Sequence, residues 1–145
     1  MKFPKLAALA SVAFVVSFFL PAFAGAKGYQ CFEFCWKLLL GHQSQTVDPF
    51  GRIYYSAFVV SNLAFVVLVG LAIVKAGYTK TRFVASAVIF FHVLSWLFLN
   101  LAKETVETLQ LQPGYYLWLA AYALLVAAHF VPIPPNPALV EPLET

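Results

Sequence analysis

The pattern of apolar and polar positions divides the chain into four long uncharged stretches, which cover residues 6–24, 53–74, 83–101 and 115–131. The third stretch lies between Arg82 and Lys103, and its length of about 19 residues, at about 1.5 Å of rise per residue, gives a helix of about 29 Å. This length matches the hydrocarbon core of a bilayer, which is about 30 Å thick. The pattern therefore predicts an all-α polytopic membrane protein, a bundle of four transmembrane helices.

The first stretch has two interpretations. Two lysines precede the apolar run and the small residues Ala22 and Ala24 follow it, an order typical of a signal peptide that is cleaved after Ala24. A retained helix fits as well, because Ala10, Ala13 and Ser17 place small residues on one face, where a neighbouring helix can approach closely. Cleavage leaves three spans and retention gives four.

Residues 29–40 predict a short amphipathic helix. Tyr29, Phe32 and Trp36 share an apolar face, which Leu39 or Leu40 extends, whereas the charged pair Glu33 and Lys37 lies elsewhere on the helix. The segment is too short to cross a bilayer, so we expect it to lie in the membrane interface. At the other end of the chain, the proline-rich residues 132–145 predict an extended, disordered tail, outside a single helical domain that covers residues 1–131.

Composition and charge support a lipid environment. Hydrophobic residues make up 62% of the chain and charged residues 10%, whereas soluble domains contain about 25% charged residues. The formal net charge of +3 is spread over the loops and gives no nucleic-acid footprint, so we expect no nucleic-acid partner. Basic residues flank the start of the first span and the loop before residue 83, which predicts a cytoplasmic amino terminus and tail and an extracytoplasmic segment 25–52. We expect the protein in a bacterial inner membrane, with the lipid bilayer as its first partner.

A polar stripe in the third span is the clearest candidate site. His92, Ser95, Trp96 and Asn100 follow one another at spacings of three and four residues, and Asn62 lies at a similar depth in the second span. An ionisable group at this depth faces protein or water, so the stripe predicts a polar cluster inside the bundle. Two roles are open: a functional site, or interhelical hydrogen bonding that fixes helix register.

A haem held between His92 and His129 is the most specific cofactor hypothesis, because imidazoles from two helices are common axial ligands. The positions of the two histidines argue against it. His92 is near the middle of its span, whereas His129 is about six residues beyond the middle of the last span, an offset of roughly 9 Å. We therefore predict no cofactor.

Cys31 and Cys35 lie in the predicted extracytoplasmic segment, where thiols tend to be oxidised. A spacing of four residues on a helix brings the two Cα atoms to about 6 Å, within the range of a disulfide. A redox pair more often has two intervening residues, and adding His42 gives only three candidate metal ligands. We predict a disulfide or inert thiols, and no metal site.

The first span ends in Ser17-Phe18-Phe19-Leu20-Pro21, and the last begins with Gly114-Tyr115-Tyr116-Leu117-Trp118-Leu119. In these segments and in its topology the chain resembles uncharacterised small bacterial four-helix integral membrane proteins. In outline it is also similar to claudin-like proteins, but it lacks their large first outer domain with its tryptophan and cysteine signature. The resemblance implies a four-span topology and assigns no functional residue.

Three functions fit these observations. The first is a non-enzymatic accessory, assembly or structural subunit, which associates with a larger membrane complex or with copies of itself through small-residue helix faces. The second is a redox or cofactor-binding protein that uses His92 or the pair Cys31 and Cys35. The third is a small transporter or channel with a polar site at Asn62 and His92, although no acidic residue lies within a predicted span.

Overall fold

The computed structural model describes residues 3–42, 47–74, 80–103 and 110–130. These residues form five helices and one short hairpin, so the predicted all-α class is confirmed. In chain order the elements are α1 Phe3–Phe19, β1 Pro21–Phe23, β2 Ala26–Lys27, α2 Gly28–Leu39, α3 Pro49–Val74, α4 Lys80–Lys103 and α5 Pro113–Phe130. The predicted tail, residues 132–145, lies outside the described part of the chain.

Four helices form an up-and-down bundle in which α1, α3, α4 and α5 follow one another around the bundle axis. Each helix packs on the next, α5 also packs on α1, and the contact between α1 and α5 is the most extensive. The pairing of α3 with α4 is antiparallel, since Tyr54 of α3 bonds with Ser95 of α4, while Ser61, about two turns later on α3, bonds with the earlier residue His92. The core of the bundle contains Ala10, Phe58, Val59, Phe65, Leu68, Val69, Val93, Ala121, Tyr122 and Leu125.

By length and apolar composition, two helices among the described residues can cross a membrane: Pro49–Val74 in α3 and Lys80–Ala102 in α4. The prediction of four spans is therefore supported in this respect for two of them. The helical part of the first stretch ends at Phe19, because the chain turns into a hairpin at Pro21. The last helix, α5, has 18 residues and includes tyrosines, a tryptophan and a histidine, which reduce its apolar character. An apolar composition of this kind is compatible with a membrane location.

The hairpin closes one end of the bundle, which we call the cap end. A two-residue turn joins β1 to β2, and its residues Ala24 and Gly25 have positive φ angles of 48° and 83°, as a type I′ hairpin turn requires. Residues 110–112 run beside β1, where the backbone N–H of Ala24 donates to Gln110 and that of Gln112 donates to Ala22. The cap thus ties the end of α1 to the start of α5.

The short helix α2 packs beside the cap end with one side against the bundle. Its buried side chains are Cys35 and Leu38, and it contacts chiefly α3. The predicted helix at 29–40 is present with nearly the same bounds. Its predicted apolar face is exposed, with Trp36 at 40% and Leu40 at 57% exposure.

Candidate functional site

Asn62 is the polar centre of the bundle. It is 7% exposed, and its side-chain carbonyl accepts a hydrogen bond from Trp118 Nε1 at 3.0 Å and another from the Tyr122 hydroxyl at 2.9 Å. Both donors lie on α5, one turn apart and therefore on the same face. The amide thus joins α3 to α5, two helices that are diagonal neighbours in the bundle.

His92 faces a different neighbour. Its Nδ1 lies 2.9 Å from Ser61 Oγ on α3, and its ring packs at 4.4 Å from Phe58 and 5.4 Å from Tyr54, centroid to centroid. The other ring nitrogen, Nε2, is buried without a hydrogen-bond partner in the described part of the chain. The imidazole is therefore held on one side only, inside an aromatic environment that Trp96 extends.

The other members of the predicted stripe have separate partners. Ser95 Oγ lies 2.7 Å from the Tyr54 hydroxyl and also donates to the His92 carbonyl within α4. Trp96 packs edge-on against Phe23 of the cap. Asn100 donates at 2.7 Å to the Trp96 carbonyl in its own helix and is buried there.

The predicted cluster therefore separates into two parts. Asn62 bonds to α5, whereas His92 and Ser95 bond to α3, and none of the described hydrogen bonds joins Asn62 to His92. The similar depth of Asn62 and His92 in their helices therefore did not bring the two side chains into one hydrogen-bonded cluster.

His129 forms a second serine–histidine pair near the opposite end of the bundle from the cap. It is 2% exposed, and its Nδ1 lies 2.9 Å from Ser86 Oγ, which also donates to the Arg82 carbonyl. Its Nε2, like that of His92, is buried without a described partner. Ser86 and His92 are six residues apart on α4, so the two imidazoles bind at levels about 9 Å apart along that helix.

Neither serine–histidine pair has the arrangement of a catalytic triad. In a triad, the histidine nitrogen that does not face the serine bonds to a carboxylate, which orients the ring. In both pairs here that nitrogen lacks a partner among the described residues, and the described carboxylates, Glu33 and Asp48, lie at other places on the chain. The geometry suits hydrogen bonding between helices.

The two cysteines are free thiols on α2. Cys35 is buried, and desolvation, with the Cys31 thiol nearby as a second cause, raises its pKa to about 12. Burial also raises the pKa of Cys31, which is partly exposed. The protonated thiol is a poor nucleophile, so neither cysteine has the activated character of a redox pair. No group of three or more metal-ligand side chains occurs among the residues that the structure describes.

The sequence did not identify several of the partners that organise this interior. The pattern of the sequence assigned no role in the interior to Ser61, Ser86, Trp118 or Tyr122. The sequence did contain an indication of the partners of Asn62. A buried amide carbonyl needs hydrogen-bond donors, and Trp118 and Tyr122 are aromatic residues with N–H and O–H donors that share one face of the last span. Comparison with protein-family models, with curated proteins and with solved structures gives no match to this chain.

Proposed function

We propose that this chain is an integral membrane protein whose four bundle helices all cross the bilayer, in a bacterial inner membrane. The two long apolar helices, α3 and α4, support a membrane location. In our proposal α1 and α5 cross beside them, since both run antiparallel to a neighbour in the same bundle. The basic start and the basic loop before α4 favour a cytoplasmic amino terminus and tail, with segment 25–52 and α2 on the outer side.

In the same proposal α1 is a permanent member of the bundle and not a removed signal peptide. Ala10 and Ser17 are almost completely buried, and Phe14 stacks on Phe65 of α3 at a centroid distance of 4.3 Å. Cleavage after Ala24 would cut the hairpin turn itself and separate α1 from the strand pairing at the cap.

Two measurements test whether α1 is retained. The intact mass of the purified chain should include α1, and an amino-terminal tag should remain attached. The variant Ala10→Leu should destabilise the protein by about 1–3 kcal/mol, because overpacking forces α1 away from its neighbours, whereas Ala8→Leu, at an exposed position of the same helix, should have little effect. A mature chain that begins at Gly25 would contradict this part of the proposal.

The function that we infer is that of a non-enzymatic accessory or assembly subunit, which acts through contacts with a larger membrane complex or with copies of itself. One observation carries this inference. Buried and partly buried polar side chains form hydrogen bonds between helices, whereas the outward faces of α3 and α4 present large apolar side chains along their length. In a bundle of this kind the interior polar groups bond to one another, and the exposed helix faces are available for packing against other membrane helices.

Site-specific photocrosslinking in native membranes tests the inference. A benzophenone amino acid would replace Val12 of α1, Val66 of α3 or Phe98 of α4, which are each about 60% exposed, and the buried Val93 as the matched control. We expect a protein adduct of one defined mass from one face, and none from Val93. Two differently tagged copies distinguish self-association from a different partner. A strictly monomeric protein that gives no adduct at any of the three positions would overturn the inference.

A second candidate, a membrane cofactor-binding protein, is favoured by one specific observation: the Nε2 atoms of His92 and His129 are buried and have no hydrogen-bond partner among the described residues. Imidazole nitrogens of this kind are ligands for haem or metals. An absorption spectrum and a metal analysis of protein purified from its native membrane test whether it binds haem or a metal. A Soret band or a stoichiometric metal, lost in His92→Ala or His129→Ala but kept in Asn100→Ala, would support this candidate over the first.

A further inference from the structure

A shallow groove on α2 combines aromatic and acidic side chains. Its volume is about 390 Å³, and it is lined by Phe32, Glu33 and Trp36. The rings of Phe32 and Trp36 lie 6.2 Å apart, centroid to centroid, with their planes inclined by 29°. The groove therefore presents two nearly parallel aromatic rings with a carboxylate beside them.

An ion pair of opposite charges, Glu33 and Lys37, lies at this groove. Glu33 Oε1 binds Lys37 Nζ at 2.6 Å, and both side chains are about half exposed. A carboxylate has two oxygens that together accept up to four hydrogen bonds, so Glu33 retains acceptor capacity while it binds Lys37. Aromatic faces attract ammonium groups, and a lysine attracts phosphate. The groove and its ion pair are thus complementary to a molecule that carries an ammonium group close to a phosphate.

The position of the groove indicates where such a molecule comes from. Phe32 contacts Phe18 at the end of α1, with ring centroids 5.8 Å apart, and the next residue, Phe19, is 67% exposed. Further exposed apolar side chains continue along α1, including Val12 and Val15. Tyr29 and Trp36 of α2 are exposed as well, and amphipathic rings of this kind are enriched at the headgroup level of membranes.

We propose that this groove binds the zwitterionic headgroup of a phospholipid. The ammonium group of ethanolamine or choline lies against Phe32, Trp36 and the Glu33 carboxylate, the phosphate pairs with Lys37, and an acyl chain follows the exposed side of α1. The site would bind one lipid of the outer leaflet where α1 meets α2. This proposal rests on the membrane-spanning arrangement proposed above and adds a ligand class to it.

The test measures lipid binding to the delipidated, detergent-solubilised full chain by native mass spectrometry. Phosphatidylethanolamine, phosphatidylcholine and phosphatidylglycerol with identical acyl chains are compared, because all three have a phosphate but phosphatidylglycerol has no ammonium group. We expect the two ammonium lipids to bind about twofold to fivefold more tightly than phosphatidylglycerol, the effect of one exposed cation–π contact.

Two substitutions separate recognition from helix stability, since Glu33→Gln and Lys37→Gln remove the same ion pair. Glu33→Gln should reduce the preference for ammonium lipids, because the carboxylate is lost while the rings of Phe32 and Trp36 remain. Lys37→Gln should weaken binding of all three lipids by a similar factor and keep the preference. No preference in the unmodified protein, an unchanged preference in Glu33→Gln, or an equal loss of preference in both variants would overturn the headgroup site.

Alkaline carbonate extraction of the membranes from which the protein is purified distinguishes this failure from failure of the proposed function. If alkaline carbonate releases the protein from membranes, the membrane-spanning arrangement is wrong and the headgroup site is wrong with it. If the protein resists extraction but binds the three lipids equally, the spanning arrangement stands and only the headgroup site is wrong.

Discussion

Replacing Asn62 tests whether the interior of the bundle is organised by its central amide. The variant Asn62→Leu removes the acceptor of two hydrogen bonds, from Trp118 Nε1 at 3.0 Å and from the Tyr122 hydroxyl at 2.9 Å. Hydrogen bonds between membrane helices contribute about 0.6 kcal/mol on average and up to about 1.7 kcal/mol each. We therefore expect the free energy of unfolding to fall by about 1–3 kcal/mol.

Asn100→Leu is the matched control. Asn100 is as buried as Asn62, at 7% exposure, but its amide donates to the Trp96 carbonyl within α4 and makes no described bond to another helix. Its replacement should change the free energy of unfolding by less than about 0.5 kcal/mol, because no donor on a facing helix loses its acceptor.

Equilibrium unfolding in mixed micelles of a mild detergent and dodecyl sulfate, followed by circular dichroism, measures both variants. A double-mutant cycle of Asn62→Leu with Tyr122→Phe isolates one of the two bonds, and its coupling energy should be about 0.6 kcal/mol and at most about 1.7 kcal/mol. Equal stability of Asn62→Leu and Asn100→Leu, together with a coupling energy near zero, would refute the assignment of Asn62 as the residue that fixes register.

Two further predictions concern the cap end and the thiols. Gly114→Ala should destabilise the protein in the same unfolding assay, because a Cβ there would lie 2.6 Å from the backbone oxygen of Pro21. The control Gly70→Ala should be neutral or mildly stabilising, because a Cβ at that position meets nothing within 4 Å. A larger loss of stability in Gly70→Ala than in Gly114→Ala would refute the close approach. Alkylation of Cys35 in the folded protein should be very slow at pH 8, where a thiol of pKa about 12 is about one part in ten thousand thiolate, and should rise about tenfold per pH unit; mass spectrometry of modified peptides should find Cys31 modified first, and faster labelling of Cys35 would contradict its burial.

The positions of the helices were largely predictable from the sequence. An apolar run of bilayer length is expected to form a helix, because a helix satisfies all backbone hydrogen bonds within the segment and an unsatisfied backbone group in lipid is costly. Residues 53–74 and 83–101 thus correspond to α3 Pro49–Val74 and α4 Lys80–Lys103, each extended by a few residues. The end of α1 was less well predicted, since Leu20 and Pro21 remain apolar although the backbone has already left the helix for a strand.

The rotation of each helix about its own axis was not predictable in the same way. On a soluble helix the apolar face identifies the core, but on a helix that is apolar all round no face is marked. In α5 the alanines at 120, 123 and 127 share a face that is exposed, whereas Ala121 and Ala128 are fully buried. Small size alone therefore did not distinguish the packing face from the outward face.

The candidate site shows the same limit. Depth along the bundle axis follows from counting residues, and by that count Asn62, His92 and Ser95 belong to one layer. Hydrogen bonding, however, depends on which neighbour each helix face meets, and a diagonal contact between α3 and α5 is not encoded in chain order. The Asn62 carbonyl accepts from Trp118 and Tyr122, which lie one turn apart on α5, whereas His92 bonds to Ser61 on α3. The hydrogen bonds of Asn62 and His92 thus depend on how each helix is rotated about its axis, which counting residues does not give.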